Sequence, residues 1–169
     1  NDWEYGGFFA ATGRTKYLSE DTIPAIEERA YFGSARLKKQ ILENSSVGVL
    51  FVGKHTKENN YGVLDIDGAF RESTWQLAYQ LARSFKNSEG DFAASAGFTM
   101  FGENWINFAR ARYIGNNFDI QEIGYVPWKG TGEFAFLTGP IWFYETGYIR
   151  QMLIYGGLSL NYEKADNYT

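Results

Sequence analysis

Asp65 and Asp67 stand two residues apart, a spacing that puts both carboxylates on one face of an extended strand. A carboxylate pair is the least equipment that acid–base chemistry needs. Nothing else in the sequence converges on it. His55 is the only histidine and borders a loop, and no cysteine is present to supply a thiolate ligand or a disulfide. Phosphate-cradling glycine loops, nucleophile elbows and zinc-ligand spacings are also missing. The expectation is a chain that is not an enzyme and uses no metal and no cofactor. The remaining spaced charges are basic: Arg36 with Lys38, and Arg110 with Arg112, each pair again on one strand face. Projected into one interior, these six side chains have two readings. They select solutes at a charged constriction, or they pair across the wall and fill the space, which is the plainer reading for a small barrel.

Those residues need strands to hold them, and the composition points the same way. Aromatic residues make up 18% of the 169 residues, with 19 glycines and only 3 prolines. Mean hydropathy is nevertheless −0.36. Rich in rings yet polar on average, the chain suits strands that alternate apolar and polar side chains. It does not suit membrane helices, which need roughly 20 consecutive apolar residues. A net charge of −4 argues against nucleic acid as a partner. Asn1 at the start, the missing signal segment and the polar stretch from Lys164 to Thr169 lead to the expectation of an internal part of a longer protein.

Period-2 alternation and turn signals predict about nine strands, over 3–17, 30–42, 46–56, 61–71, 74–85, 91–101, 105–114, 130–144 and 148–163. A short helical turn between Ser19 and Arg29 is the one helical candidate, and Pro24 interrupts it. Gly139-Pro140 predicts a bulge, or a strand that starts later, and Gly156-Gly157 predicts a bulge or bend. Tight turns at 43–45, 71–73, 102–104 and 145–147 alternate with longer links at 18–29, 57–60, 86–90 and 115–129, as in an outer-membrane barrel with short periplasmic turns and longer outer loops.

In the clearest strand, 74–85, Trp75, Leu77, Tyr79, Leu81 and Phe85 share one face, with Gln76, Ala78, Gln80 and Ser84 opposite. Arg110 and Arg112 share a face with Ile106 and Phe108. A charge facing lipid near the midplane costs about 2–4 kcal/mol, so both arginines are assigned to the interior. Trp75, Trp105, Trp142, Tyr144 and Tyr148 fall near tight turns. Tyr17, Tyr61, Phe85 and Tyr113 fall beside the longer links. Two aromatic bands around an aliphatic belt are what membrane interfaces favour. The fold expected is therefore all-β: an antiparallel, up-and-down transmembrane β-barrel, of which this chain supplies about nine strands. Nine strands without closure are part of a larger barrel, since single-chain bacterial barrels have even strand numbers.

The most distinctive stretch runs from Tyr113 to Pro127. Its Gly115, Phe118-Asp119 and Gly124-Tyr125-Val126-Pro127 resemble a motif of the membrane-barrel domain, of unassigned function, that follows a family-9-like carbohydrate-binding module in Bacteroidota proteins. Ile120-Gln121 and Trp128 depart from that motif, which usually has Asn-Pro and an arginine there. The hairpins over 30–56 and 61–85 are similar to that family's repeated strands. The resemblance implies an outer-membrane location in a Gram-negative bacterium, with an upstream sugar-binding-like module. It supplies no catalytic residues. The function expected is anchoring of such a module, passage of solutes across the membrane, or both, with the bilayer and its lipopolysaccharide as partners. The alternative is a structural subunit of an outer-membrane secretion or barrel-assembly complex, with other outer-membrane subunits as partners.

Overall fold

The computed structural model describes residues 2–18, 24–126 and 128–164. The alternating segments form twelve strands: β1 (Trp3–Thr12), β2 (Thr15–Leu18), β3 (Pro24–Glu27), β4 (Ala30–Ile41), β5 (Ser45–Thr56), β6 (Asn60–Arg71), β7 (Trp75–Lys86), β8 (Phe92–Phe101), β9 (Trp105–Ile114), β10 (Thr131–Phe143), β11 (Gln151–Leu153) and β12 (Gly156–Glu163). No helix occurs among the described residues. Ten strands make one antiparallel sheet. Strands β4 to β10 follow one another as a meander, β1 flanks β4, and β11 and β12 both lie along β10. Among the described residues the sheet is not closed: β1 keeps one unpaired edge, and so do β11 and β12.

Three local expectations change. The strand expected over 3–17 breaks at Gly13-Arg14. The Thr12 hydroxyl accepts from the Ala30 amide at 3.2 Å at the last row of the β1–β4 ladder. Beyond that row β2 leaves the sheet and pairs with β3. The helical candidate is thereby partly replaced, since Pro24–Glu27 is a strand; residues 19–23 lie outside the described residues. No bulge is inserted in the last two strands either. Ile141 pairs Leu153 and Thr138 pairs Gly156, which keeps β11 and β12 on a single register. The break between them falls opposite Gly139-Pro140. There Ile154 donates to the Pro140 carbonyl at 3.2 Å, but proline has no N–H to return. Gly139 is needed for the close approach, because a Cβ on it would sit 2.0 Å from the Ile154 carbonyl oxygen.

The strict alternation of short and long connections is not kept. Connections 42–44, 72–74 and 102–104 at one end are short, but so is 57–59 at the other, and 144–150 is longer. The Thr56 side chain explains the economy of 57–59, accepting from the Asn59 amide at 3.0 Å and closing the turn.

Every pairing from β1 to β10, and on to β11 and β12, is in simple register. One row of side chains therefore stays on one face across the whole sheet. Arg36, Asp65, Ala82 and Ala93 belong to one face; Leu37, Val49, Ile66, Leu81 and Ala94 belong to the other. Burial is reversed from that of a water-soluble sheet. On the polar face Asp65 is 4% and Ser84 1% exposed, while on the apolar face Leu64 is 46% and Leu81 48% exposed.

The apolar face is nearly free of charge. Of the Lys, Arg, Asp and Glu in the ten strands, only Lys39 and Arg83 occur on it, both towards strand ends. Each holds its cation over a ring, Lys39 at 5.1 Å from Trp3 and Arg83 at 5.1 Å from Phe92. Three of the polar groups it does carry satisfy one another. The Trp105 indole donates to the Thr138 hydroxyl, which donates to the Asn107 side-chain oxygen, both at 2.7 Å.

Candidate functional site

The polar face curves round a concavity of ≈ 940 Å³ that reaches from Glu4 on β1 to Arg110 and Arg112 on β9. The register brings Arg36, Lys38, Asp65, Asp67, Arg110 and Arg112 to this face together. Their partners are set by the tertiary structure. Arg36 on β4 reaches across β5 and donates from one nitrogen to both oxygens of Asp67 on β6, at 2.8 and 2.7 Å. Gly48 on the intervening β5 makes this reach possible. A Cβ there would lie 3.0 Å from the Asp67 carboxylate and 3.2 Å from the guanidinium. Lys38 pairs with Glu4, and Arg112 with Glu133 at 2.9 Å. Among the described residues, Asp65 and Arg110 have no ion-pair partner.

A double-mutant cycle on Arg36→Ala and Asp67→Ala is expected to give a coupling of about 1 kcal/mol in unfolding free energy, the upper end for pairs that are partly solvated. Gly48→Leu, which wedges the pair apart, is expected to remove most of that coupling. A coupling indistinguishable from zero in the parent background would show that the pair contributes nothing.

The loop 115–130 folds onto this face instead of standing away from the strand ends. Gly115 begins it, packed against Asp91, where a Cβ would fall 2.3 Å from the carboxylate carbon. The Asp91 carboxylate accepts from the amides of Phe92 at 2.8 Å and Asn117 at 3.1 Å. Phe118 then enters the sheet face and is only 4% exposed. The next amide, of Asp119, donates to the buried Ser84 hydroxyl on β7 at 3.0 Å. Ile120 accepts from Ile123 and Gly124 to close a turn, and Glu122 pairs with Lys54 on β5. Gly130 ends the loop at φ 70°, a left-handed conformation suited to glycine, and donates back to the Gly115 carbonyl. The loop thus crosses from β9 to β5 over one end of the concavity.

Asp119 is the polar knot of this loop. The Gln121 amide donates to its carboxylate at 3.1 Å, and Lys129 pairs with it at 3.1 Å. The Gln121 bond first, then Lys129, hold its carboxyl below the usual carboxylate range, while partial burial works against them. A carboxyl lowered in the folded state stabilises that state above its unfolded pKa of about 3.9, and the contribution is lost as pH falls through the lower folded value. The loop is therefore expected to stay closed at pH 5 and to loosen only in stronger acid. Amide exchange of Gln121 measured against pH checks this, and Asp119→Asn should erase the dependence.

The aromatic candidates divide by register. Trp75, Phe85, Trp105, Tyr113 and Trp142 are on the apolar face. Trp75 stands 6.3 Å from Phe98 at the 72–74 end, and Phe85 stands 6.3 Å from Phe51 towards the other end. Tyr61 departs from the expectation. It shares the polar face with Asp65, opposite Lys54 and Lys86, with the Lys86 ammonium 5.6 Å from its ring. Tyr144 and Tyr148 lie in the 144–150 connection, outside the strands. Tyr17 is in β2, apart from the main sheet, and its side chain lies outside the described residues. In the 113–127 motif, Phe118 and Asp119 anchor the loop. Gly124 donates within its turn, Tyr125 is 81% exposed, and Pro127 lies outside the described residues. The partners Glu4, Lys54, Ser84, Glu122 and Glu133 were not singled out by sequence. Their only local signal is strand parity for Glu4, Lys54, Ser84 and Glu133; Glu122 has none.

Comparison with protein-family models, with curated proteins and with solved structures finds no match to this chain.

Proposed function

We propose that this chain is wall of a β-barrel in the outer membrane of a Gram-negative bacterium. Its apolar face meets lipid and lipopolysaccharide, and its polar concavity borders a water-filled passage. The observation that carries this reading is the reversed burial: a face across ten strands exposes Leu37, Val49, Phe51, Leu64, Ile66 and Leu81, with charge only at Lys39 and Arg83 near strand ends. In water so extended an apolar face is a liability, since soluble monomers rarely expose more than a few hundred Å² of contiguous apolar surface. In a bilayer it is required, with interfacial rings and snorkelling cations at its rims.

The barrel serves to anchor a carbohydrate-binding-like module, to pass solutes, or both. The anchoring half leans on the resemblance of the 113–127 segment; the passage half leans on the charged concavity. Catalysis forms no part of the reading, because Asp67 is engaged by Arg36. In lipid, the open edges of β1, β11 and β12 would leave backbone N–H and C=O groups without partners, so further strands must pair there. That same feature favours a second reading, a subunit of a larger outer-membrane assembly.

Heat-modifiable migration of the full protein on a gel tests the barrel, and migration indifferent to heat and detergent sinks it. Planar-bilayer recording tests the passage: without conductance, anchoring alone remains. Co-purification of a stoichiometric partner strand donor in mild detergent would favour the assembly subunit.

A further inference from the structure

We propose that the pocket between loop 115–130 and the polar face binds a small organic ammonium, a primary amine on an apolar body, with Asp65 as the recognition group. The pocket has a volume of ≈ 370 Å³, room for a compact solute. Its walls are mostly apolar: Phe118, Ile120 and Val126 from the loop, Leu50 and Val63 from the sheet. Asp65 also lines it, 4% exposed; Gln80 is a side-chain donor to its carboxylate, but its Oδ1 is buried without a hydrogen-bond partner, as is the Nε of Arg112. A carboxylate in that position is costly unless a donor or a cation meets it. Arg110, unpaired among the described residues, lines the concavity but not this pocket, and the two cations closer to Asp65 are engaged elsewhere. Arg36, two strands away in the same row, is held by Asp67, and Arg112, which also lines the pocket, by Glu133.

An ammonium head against Asp65 supplies the missing charge and a donor for Oδ1 together, and the rings and branched side chains cover its apolar body. A carboxylate head is repelled by Asp65. A neutral alcohol supplies a donor without charge. The site draws all its walls from β5 to β9 and the loop, so it holds whether or not the sheet lies in a membrane.

The test is calorimetric titration of the full protein, in whichever buffer or neutral-lipid nanodisc keeps it folded. The probes are 2-phenylethylammonium, 2-phenylethanol and 3-phenylpropionate. Saturable one-to-one binding of the ammonium is expected, at least about tenfold tighter than the alcohol, which is what a hydrogen bond to a charged group contributes. The propionate is expected not to bind. Asp65→Asn, nearly isosteric, should erase the preference for ammonium over alcohol. Ile120→Trp, which fills the pocket from the loop side, should abolish binding of both. Equal affinity for ammonium and alcohol, or a preference that survives Asp65→Asn, overturns the proposal. Should Asp65→Asn not fold, the order of the three probes and the loss in Ile120→Trp still decide it.

Discussion

Ile66→Arg is expected to destabilise the full protein in lipid vesicles by about 2–4 kcal/mol, the cost of an arginine on the lipid face at mid-depth. Ile66 lies mid-strand in β6, 41% exposed, between Val49 and Leu81 on the apolar face. The expectation depends on the solvent that this face meets. In water, replacing an exposed apolar side chain by arginine changes stability by no more than about 0.5 kcal/mol. Depth supplies the control. Met100 lies one residue from the end of β8 on the same face, opposite Trp75 and Asn107, and Met100→Arg should cost only about 0–1 kcal/mol in lipid. Denaturant titration of both variants in vesicles reads the difference. Equal and small effects at the two positions would falsify the lipid-facing reading. Gln80→Arg, on the polar face, should leave membrane insertion unchanged.

Phe118→Ala is expected to release loop 115–130 while the sheet stays intact. Truncating a buried phenylalanine costs about 3–5 kcal/mol where the whole fold depends on it. Here the loss is capped by the free energy of opening the loop, because Phe118 is the one buried side chain among the loop's described residues. The amide of Asp119 is the reporter, protected by its bond to Ser84 Oγ at 3.0 Å. Its hydrogen exchange should accelerate strongly in Phe118→Ala, while the amides of β6 and β7 keep their protection. Ser84→Ala removes this acceptor, together with the hydroxyl's own bond to the Asp91 carbonyl at 3.5 Å, and should cost about 1–3 kcal/mol locally, as the Asp119 donor is left without a partner. Unchanged exchange at Asp119 in Phe118→Ala would mean that the loop is held by its polar contacts alone. If the concavity is a passage, the released loop should also raise its conductance.

Much of the strand pattern was legible in the sequence, and the reason is local. A strand's side chains alternate by geometry, so Arg36 with Lys38, Asp65 with Asp67 and Arg110 with Arg112 declare their shared faces without reference to any neighbour. Tyr61 was legible too, since it has the parity of Asp65. Its place beside a connection suggests an interfacial ring, but parity decides its face. Gly139-Pro140 marked a disturbance correctly but not its kind. Whether a missing N–H produces a bulge or a gap depends on the partner strand, which local sequence does not name.

What only the tertiary structure decided depends on partners distant in the chain. The nearly unbroken register from β1 to β12 gathers the three charged pairs on one concave surface. Gly48, anonymous in the sequence, becomes the gap through which Arg36 reaches Asp67. Loop 115–130 turns inward because Phe118 finds a buried place on the sheet, with Ser84 beside it and Lys54 beyond. The isolated Asp65-x-Asp67 spacing, which first suggested acid–base chemistry, ends divided. Asp67 is neutralised across two strands, and Asp65 is left buried beneath the loop, because ion pairing follows register and reach, which spacing along the chain does not contain.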